Sequence, residues 1–129
     1  MDKQELKQKL TAEEYHVTQE KGTEAPYSGK YNKETAKGTY NCKVCGNPLF
    51  LSDAKYESSM VGLAGWPSFD QSIPGSVEYI EDNSMGMHRT EVVCNNCKSH
   101  LGHIFDDNEA KTGKHYCMNS CALDLDKKA

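Results

Sequence analysis

The spacing of apolar positions divides the chain into two regions. Residues 1–22 read as a helical segment. Thr11-Ala12-Glu13-Glu14 carries the pattern of a capping box, with Thr11 as N-cap and Glu14 three residues on. Tyr15, Val17 and Thr18 follow, and Gly22 supplies a stop. "GTEAPYSGKYNKETAKGTY" then holds Gly, Pro and Ser at loop density. From Tyr40 onward the pattern changes to short strands. "SVEYIED", "MHRTEVVC" and "HLGHIFD" have the alternation and the Val, Ile and Tyr content of strands. "PGS", "DNSMG" and "KTGK" between and after them are turn chemistry. No repeat beyond two Cys-x-x-Cys pairs and no linker interrupts the pattern, so residues 1–129 are expected to form one domain.

Composition narrows the class. Only 36% of the 129 residues are hydrophobic, so something besides core burial is expected to hold the fold. No apolar run is long enough for a membrane span. "MDKQELKQKL" is charged throughout and is no secretory signal, so a cytoplasmic protein is expected, with reduced thiols. The net charge of −4, without a basic stripe, argues against nucleic acid as the main partner. A monomer is expected.

Six cysteines carry the candidate chemistry. Cys42-Lys43-Val44-Cys45 and Cys94-Asn95-Asn96-Cys97 are two hooks separated by 48 residues. Each hook brings two thiolates to one ion, and four thiolates close a tetrahedral zinc shell. Gly46, Asn95 and Asn96 suit the turns such hooks require. A shell of four sulfurs leaves no position for a substrate, so one structural zinc is expected. The alternative is two separate dithiol redox motifs.

Cys117 and Cys121 lie outside the hooks. Read as a strand, "HYCMN" places His115, Cys117 and Asn119 on one face and Tyr116 and Met118 on the other. An imidazole and an amide beside a thiol are the company in which it can be ionised as a nucleophile. The plainer alternative is a buried packing cysteine. "SHLGHIFDD" sets His100 and His103 around a glycine, and a four-thiolate site needs neither. Trp66, the only tryptophan, stands between Gly65 and Pro67, which suits a rigid pocket wall as well as a core residue.

Together, "CKVCGNPLF", "GWPSF", "CNNCKSHLGHIFDD" and "HYCMNS" resemble the methionine sulfoxide reductase B family, from about "KGTEAPYSGKY" to "ALDL". The resemblance implies two antiparallel β-sheets with short N-terminal helices and a zinc site distant from the active site. It implies thiol-dependent reduction of methionine-R-sulfoxide, free or in proteins, with thioredoxin or a small thiol as reductant. Cys117 matches the catalytic cysteine, and His100 and His103 match the histidines around the sulfoxide oxygen. Asn119 matches the amide after the nucleophile. Trp66 matches the wall against the substrate methyl group, and Phe105 and Asp107 match positions that line or buttress the pocket. Cys42, Cys45, Cys94 and Cys97 match the zinc ligands.

Two positions depart from the family. His115 stands where an arginine is common, and it is expected on the substrate side, with a charge that depends on pH. Ala64 stands where many members carry a resolving cysteine. On a continuing strand, Cys121 would lie roughly 13 Å from Cys117. That is beyond disulfide reach, so Cys121 is expected to pack rather than resolve. Two rival readings remain: a non-catalytic zinc-stabilised binding module with an aromatic pocket, and a zinc hydrolase or deaminase. The deaminase signature is absent.

Overall fold

A computed structural model describes residues 2–58 and 63–128, with Met85 described by its backbone alone. Two short helices open the chain. In α1 (Lys3–Lys9), the Asp2 carboxylate accepts from the Glu5 amide at 2.9 Å. In α2 (Ala12–Glu20), Thr11 Oγ1 accepts from the Glu14 amide and Glu14 Oε1 accepts from the Thr11 amide, at 3.1 and 2.9 Å. Such a box is worth about 1 kcal/mol to a helix this short. The stop falls one residue earlier than the glycine pattern suggests. Lys21 takes the left-handed conformation (φ 59°), while Gly22 makes room for the His16 ring. Leu6, Leu10 and Val17 face the core.

Among the described residues, nine strands form two antiparallel sheets. The smaller has β1 (Gly38–Cys42) at its centre, flanked by β2 (Pro48–Leu51) and β9 (Leu123–Lys127). The larger contains β3 (Lys55–Tyr56), β4 (Ser68–Phe69), β5 (Val77–Asp82), β6 (Arg89–Cys94), β7 (His100–Asp106) and β8 (Lys114–Met118). Its spatial order is β3-β4-β8-β7-β6-β5. Aromatic side chains join the sheets. Phe50 of the smaller sheet stacks on Phe69 of the larger with centroids 4.4 Å apart, and Tyr40 meets Phe69 edge-on at 5.0 Å. Phe50 also meets Tyr116 at 5.6 Å. Each such pair adds about 1 kcal/mol beyond the area it buries.

The alternation expected of "HYCMN" holds through Met118. Tyr116 and Met118 point into the core between the sheets, and His115 and Cys117 take the opposite face. There the strand ends. Residues Ser120–Ala122 form a 3₁₀ turn before β9 begins. The expectation of a continuing strand is therefore corrected: the chain turns between the two cysteines, and the 13 Å extended separation does not apply. Cys121 is half-buried and packs against the core.

Candidate active site

Cys117 is the next-to-last residue of β8, paired with His103 of β7 on one side and Ser68 of β4 on the other. Gly102 stands opposite Met118, and a Cβ at that position would run into the carbonyl oxygen of Cys117. Only glycine lets the two strands approach so closely beside the thiol. The thiol opens onto a cavity of about 90 Å³ lined by Thr23, Leu63, Trp66, Arg89, Gly102, His103, Phe105, Cys117 and Asn119.

Five of the residues named from the sequence meet there: Cys117, Trp66, His103, Phe105 and Asn119. His100, Asp107 and His115 do not line it. Trp66 is fixed from both sides. Its Nε1 donates to the Glu24 carbonyl at 3.0 Å, and the neighbouring Gly65 and Pro67 carbonyls accept from Tyr27 and Met118 at 2.7 and 3.0 Å. His103 Nε2 lies 2.8 Å from Asp82 Oδ2. Hydrogen bonds from Ser84 and His103 hold the Asp82 carboxyl well below its usual range, so it is an anion that orients the ring. Among the described residues, no hydrogen bond engages the other ring nitrogen, Nδ1, of this cavity-lining residue.

Asn119 serves the loops around the cavity. Its Oδ1 accepts from the Glu24 amide at 3.0 Å and its Nδ2 donates to the Leu101 carbonyl at 3.0 Å. Glu24 completes this arrangement. Its buried carboxylate accepts from the Ser120 and Cys121 amides at 2.9 and 3.0 Å, closing the turn after the Cys117 strand, while its own carbonyl holds Trp66. One residue thus ties Trp66 to the turn that follows β8. Sequence reasoning missed Glu24, Asp82 and Arg89. "KGTEAP" reads as a solvated loop, and nothing in the chain pattern signals a partner 96 residues away.

His115 is corrected in position and in charge. It is fully buried behind the cavity, with Nδ1 3.1 Å from Asp107 Oδ2. Tyr56 donates to the same oxygen at 2.7 Å, and Nε2 has no partner. Burial pulls its pKa below the ordinary value despite Asp107, so it is a neutral imidazole near pH 7 and supplies no cation in place of arginine. His100 is similar: it is buried, 2.7 Å from Glu91, and pulled down by desolvation. The thiol differs from expectation too. Burial, with the nearby Glu24 charge, pushes Cys117 up to about 12, so at rest the group is a thiol and not a thiolate.

These two histidines predict acid sensitivity. Their folded pKa values lie below the 6.5 of a free imidazole. At pH values between the two, the unfolded chain binds more protons than the folded one. Their contribution to stability is therefore complete above about pH 6.5 and is lost as the pH falls through and below it. The urea midpoint should drop between pH 7 and pH 5. A midpoint that stays level over that range would mean the buried rings accept protons without cost.

The two hooks meet at a second site. The four sulfurs of Cys42, Cys45, Cys94 and Cys97 lie within 4.8 Å of one another, with Cys42–Cys97 at 3.7 Å and Cys45–Cys94 at 3.6 Å. A tetrahedral zinc with Zn–S of about 2.3 Å has sulfur–sulfur edges of about 3.8 Å, so the donor set fits a metal ion. Each hook closes with an amide returning to its first cysteine: Gly46 to Cys42 and Lys98 to Cys94, both at 2.8 Å. Both closing residues are left-handed, at φ 80° and 64°. The left-handed strain of the second hook therefore falls on Lys98, not on Asn95 or Asn96. Cys42 ends β1 and Cys94 ends β6, so the site joins the two sheets. It lies five residues along β6 from Arg89, about 17 Å at strand rise.

Among the described residues, no helix is long and apolar enough to cross a membrane. A family model described as the SelR domain matches residues 10–127. Over 125 residues the chain is 52% identical to the peptide methionine sulfoxide reductase MsrB of Methanosarcina barkeri, covering 95% of this chain and 84% of that protein. It is 47% identical over 127 residues to the MsrB of Saccharophagus degradans, covering 98% and 92%. It is 50% identical over 121 residues to the mitochondrial methionine-R-sulfoxide reductase B3 of Mus musculus. There the match covers 93% of this chain and 46% of the mouse protein, so the chain spans about half that relative's length. On the strength of a match that runs through both hooks, the tryptophan loop and the Cys117 strand, the chain belongs to the SelR-domain family of MsrB peptide methionine sulfoxide reductases.

Proposed function

We propose that this protein reduces methionine-R-sulfoxide, free or within oxidised proteins, to methionine, with Cys117 as the nucleophile. The observation that carries the reading is the convergence of the Cys117 thiol, the Trp66 indole and His103 on one cavity. The indole supplies the apolar wall for the sulfoxide methyl group. His103, anchored through Nε2 on ionised Asp82, takes the thiol proton at Nδ1 and donates it to the sulfoxide oxygen. Cys117 Sγ attacks the sulfoxide sulfur, and the S–O bond breaks as the oxygen passes to cysteine. The thiol and the sulfoxide become a sulfenic acid and a thioether. Cysteine sulfur is oxidised by two electrons and methionine sulfur is reduced by two. The proton on the resting thiol ends on the transferred oxygen, and His103 is the cavity group able to relay it. Glu24 positions the wall and the strand rather than touching the substrate, and Asn119 both braces the Glu24 amide and lines the cavity.

A thiol then attacks the sulfenic acid, releasing water and forming a mixed disulfide that a second thiol resolves. Ala64 cannot serve, and Cys121 has its amide on Glu24 and packs on the core. An external reductant, thioredoxin or a small thiol, is therefore the expected partner. Zinc is the metal that suits the four sulfurs, with a structural role. Six cysteines outside any disulfide suit a reducing compartment such as the cytoplasm, where repair of oxidised proteins under oxidative stress is the corresponding role. The test is turnover of the separated R and S epimers of methionine sulfoxide, with dithiothreitol and with thioredoxin. Methionine should form from the R epimer alone. Turnover of neither epimer, or preference for S, would overturn the assignment.

A further inference from the structure

The cavity at Cys117 is small. Its volume of about 90 Å³ is far below the roughly 300–1,000 Å³ of clefts that enclose a whole small molecule. It therefore takes the end of a side chain, and the rest of a substrate lies on the surface beside it. Trp66 is also a wall of a second cleft, of about 190 Å³, bounded by Tyr27, Asn32, Lys33, Tyr56 and Ala64. The tryptophan loop is the partition between the two: Leu63 faces the first cavity and Ala64 the second.

We propose that this second cleft binds the polypeptide main chain adjoining an oxidised methionine, which makes it a subsite for protein-bound rather than free methionine sulfoxide. The inference rests on the reading of the Cys117 cavity as the sulfoxide site. Three features support it. Trp66 belongs to the lining of both, so the second cleft adjoins the wall of the first. Tyr27 is 66% exposed at the rim and in a left-handed conformation (φ 64°), with its backbone N–H donating a hydrogen bond to the Gly65 carbonyl at 2.7 Å. A non-glycine residue in that conformation is costly unless the surroundings hold it there, and here it presents a large ring to solvent beside the site. Asn32 and Lys33 add an amide and an ammonium group to the lining, which suits the alternating donors and acceptors of an extended backbone. Exposed aromatics with adaptable amides are the residue types that bind peptides without strict sequence preference.

The test compares two substrates in one assay: free methionine-R-sulfoxide, and an acetylated, amidated pentapeptide with methionine-R-sulfoxide at its centre between alanines. Tyr27→Ala removes an exposed ring and leaves the backbone bond to Gly65 in place, so folding should be retained. A circular-dichroism melt checks this. KM for the pentapeptide should rise about five- to tenfold with kcat nearly constant, the pattern of lost uniform binding. KM for the free amino acid should change less than twofold. Asn32→Ala should show the same selectivity at smaller size. Equal changes for both substrates, or none for either, would overturn the subsite while leaving the reductase assignment intact. A rise in KM for thioredoxin alone would assign the cleft to the reductant and overturn the proposal. Wild-type turnover of neither sulfoxide would instead remove the assignment on which it rests.

Discussion

Cys117→Ser should reduce methionine sulfoxide turnover by at least ~10³-fold while leaving fold and metal content unchanged. The loss follows from chemistry. Sulfur attacks the sulfoxide and carries the oxygen away, and a serine hydroxyl is a far weaker nucleophile without an adjacent base. No other thiol can substitute. The four hook cysteines lie at the far end of β6, and Cys121 is held in the turn beyond the strand. The fold should be spared because serine nearly matches cysteine in volume and the Cys117 sulfur makes one weak hydrogen bond among the described residues, 4.0 Å from the Leu63 carbonyl. A stability change below ~1 kcal/mol is expected for so small a substitution. Steady-state turnover with dithiothreitol, alongside a thermal melt and metal analysis, measures all three. Residual activity within tenfold of wild type would mean that Cys117 is not the nucleophile.

The second large effect is on stability. Cys94→Ser should strip the metal and lower the melting temperature by at least ~20 °C. Cys94 is wholly buried at the end of β6, and its hook holds the larger sheet to Cys42 at the end of β1. A structural zinc in such a shell contributes ~10–16 kcal/mol of apparent binding energy in zinc-finger peptides, as large as the whole stability of a domain. Losing even ~5 kcal/mol shifts melting by some 20 °C at about 4 °C per kcal/mol. Removing the metal from wild type with a chelator should have the same effect. Plasma mass spectrometry for zinc and scanning calorimetry read the two quantities together. A Cys94→Ser protein melting with the wild type would show that the four sulfurs cluster without bearing a stabilising ion.

The features legible in the chain were those whose causes are local. The capping box at Thr11 and Glu14, the paired hooks and the two-residue period of "HYCMN" each need only a few neighbouring residues, and each appears in the structure. β2 was not legible as an alternating strand, because Leu49 and Phe50 are adjacent and both buried. The depth of His115 was not legible either. A sequence shows an imidazole two residues before a thiol but not the Tyr56, Phe105 and Asp107 side chains packed around it. Glu24 and Asp82 act through bonds that span 95–97 and 21 residues, with no periodicity to mark them. The turn at Ser120–Ala122 was hidden because its cap is the distant carboxylate of Glu24.

A thiol held at about 12 has a consequence for survival in the setting where such an enzyme is needed. Hydrogen peroxide reacts with thiolate and scarcely with thiol. At neutral pH, raising a cysteine from its ordinary value of 9 to about 12 lowers the thiolate fraction roughly a thousandfold. Glu24 and the surrounding walls should therefore act as a shield, slowing the loss of Cys117 to the oxidant itself and its climb to the irreversible sulfinic state. The same burial that slows indiscriminate oxidation reserves the sulfur for a substrate that brings its own oxygen and accepts the proton.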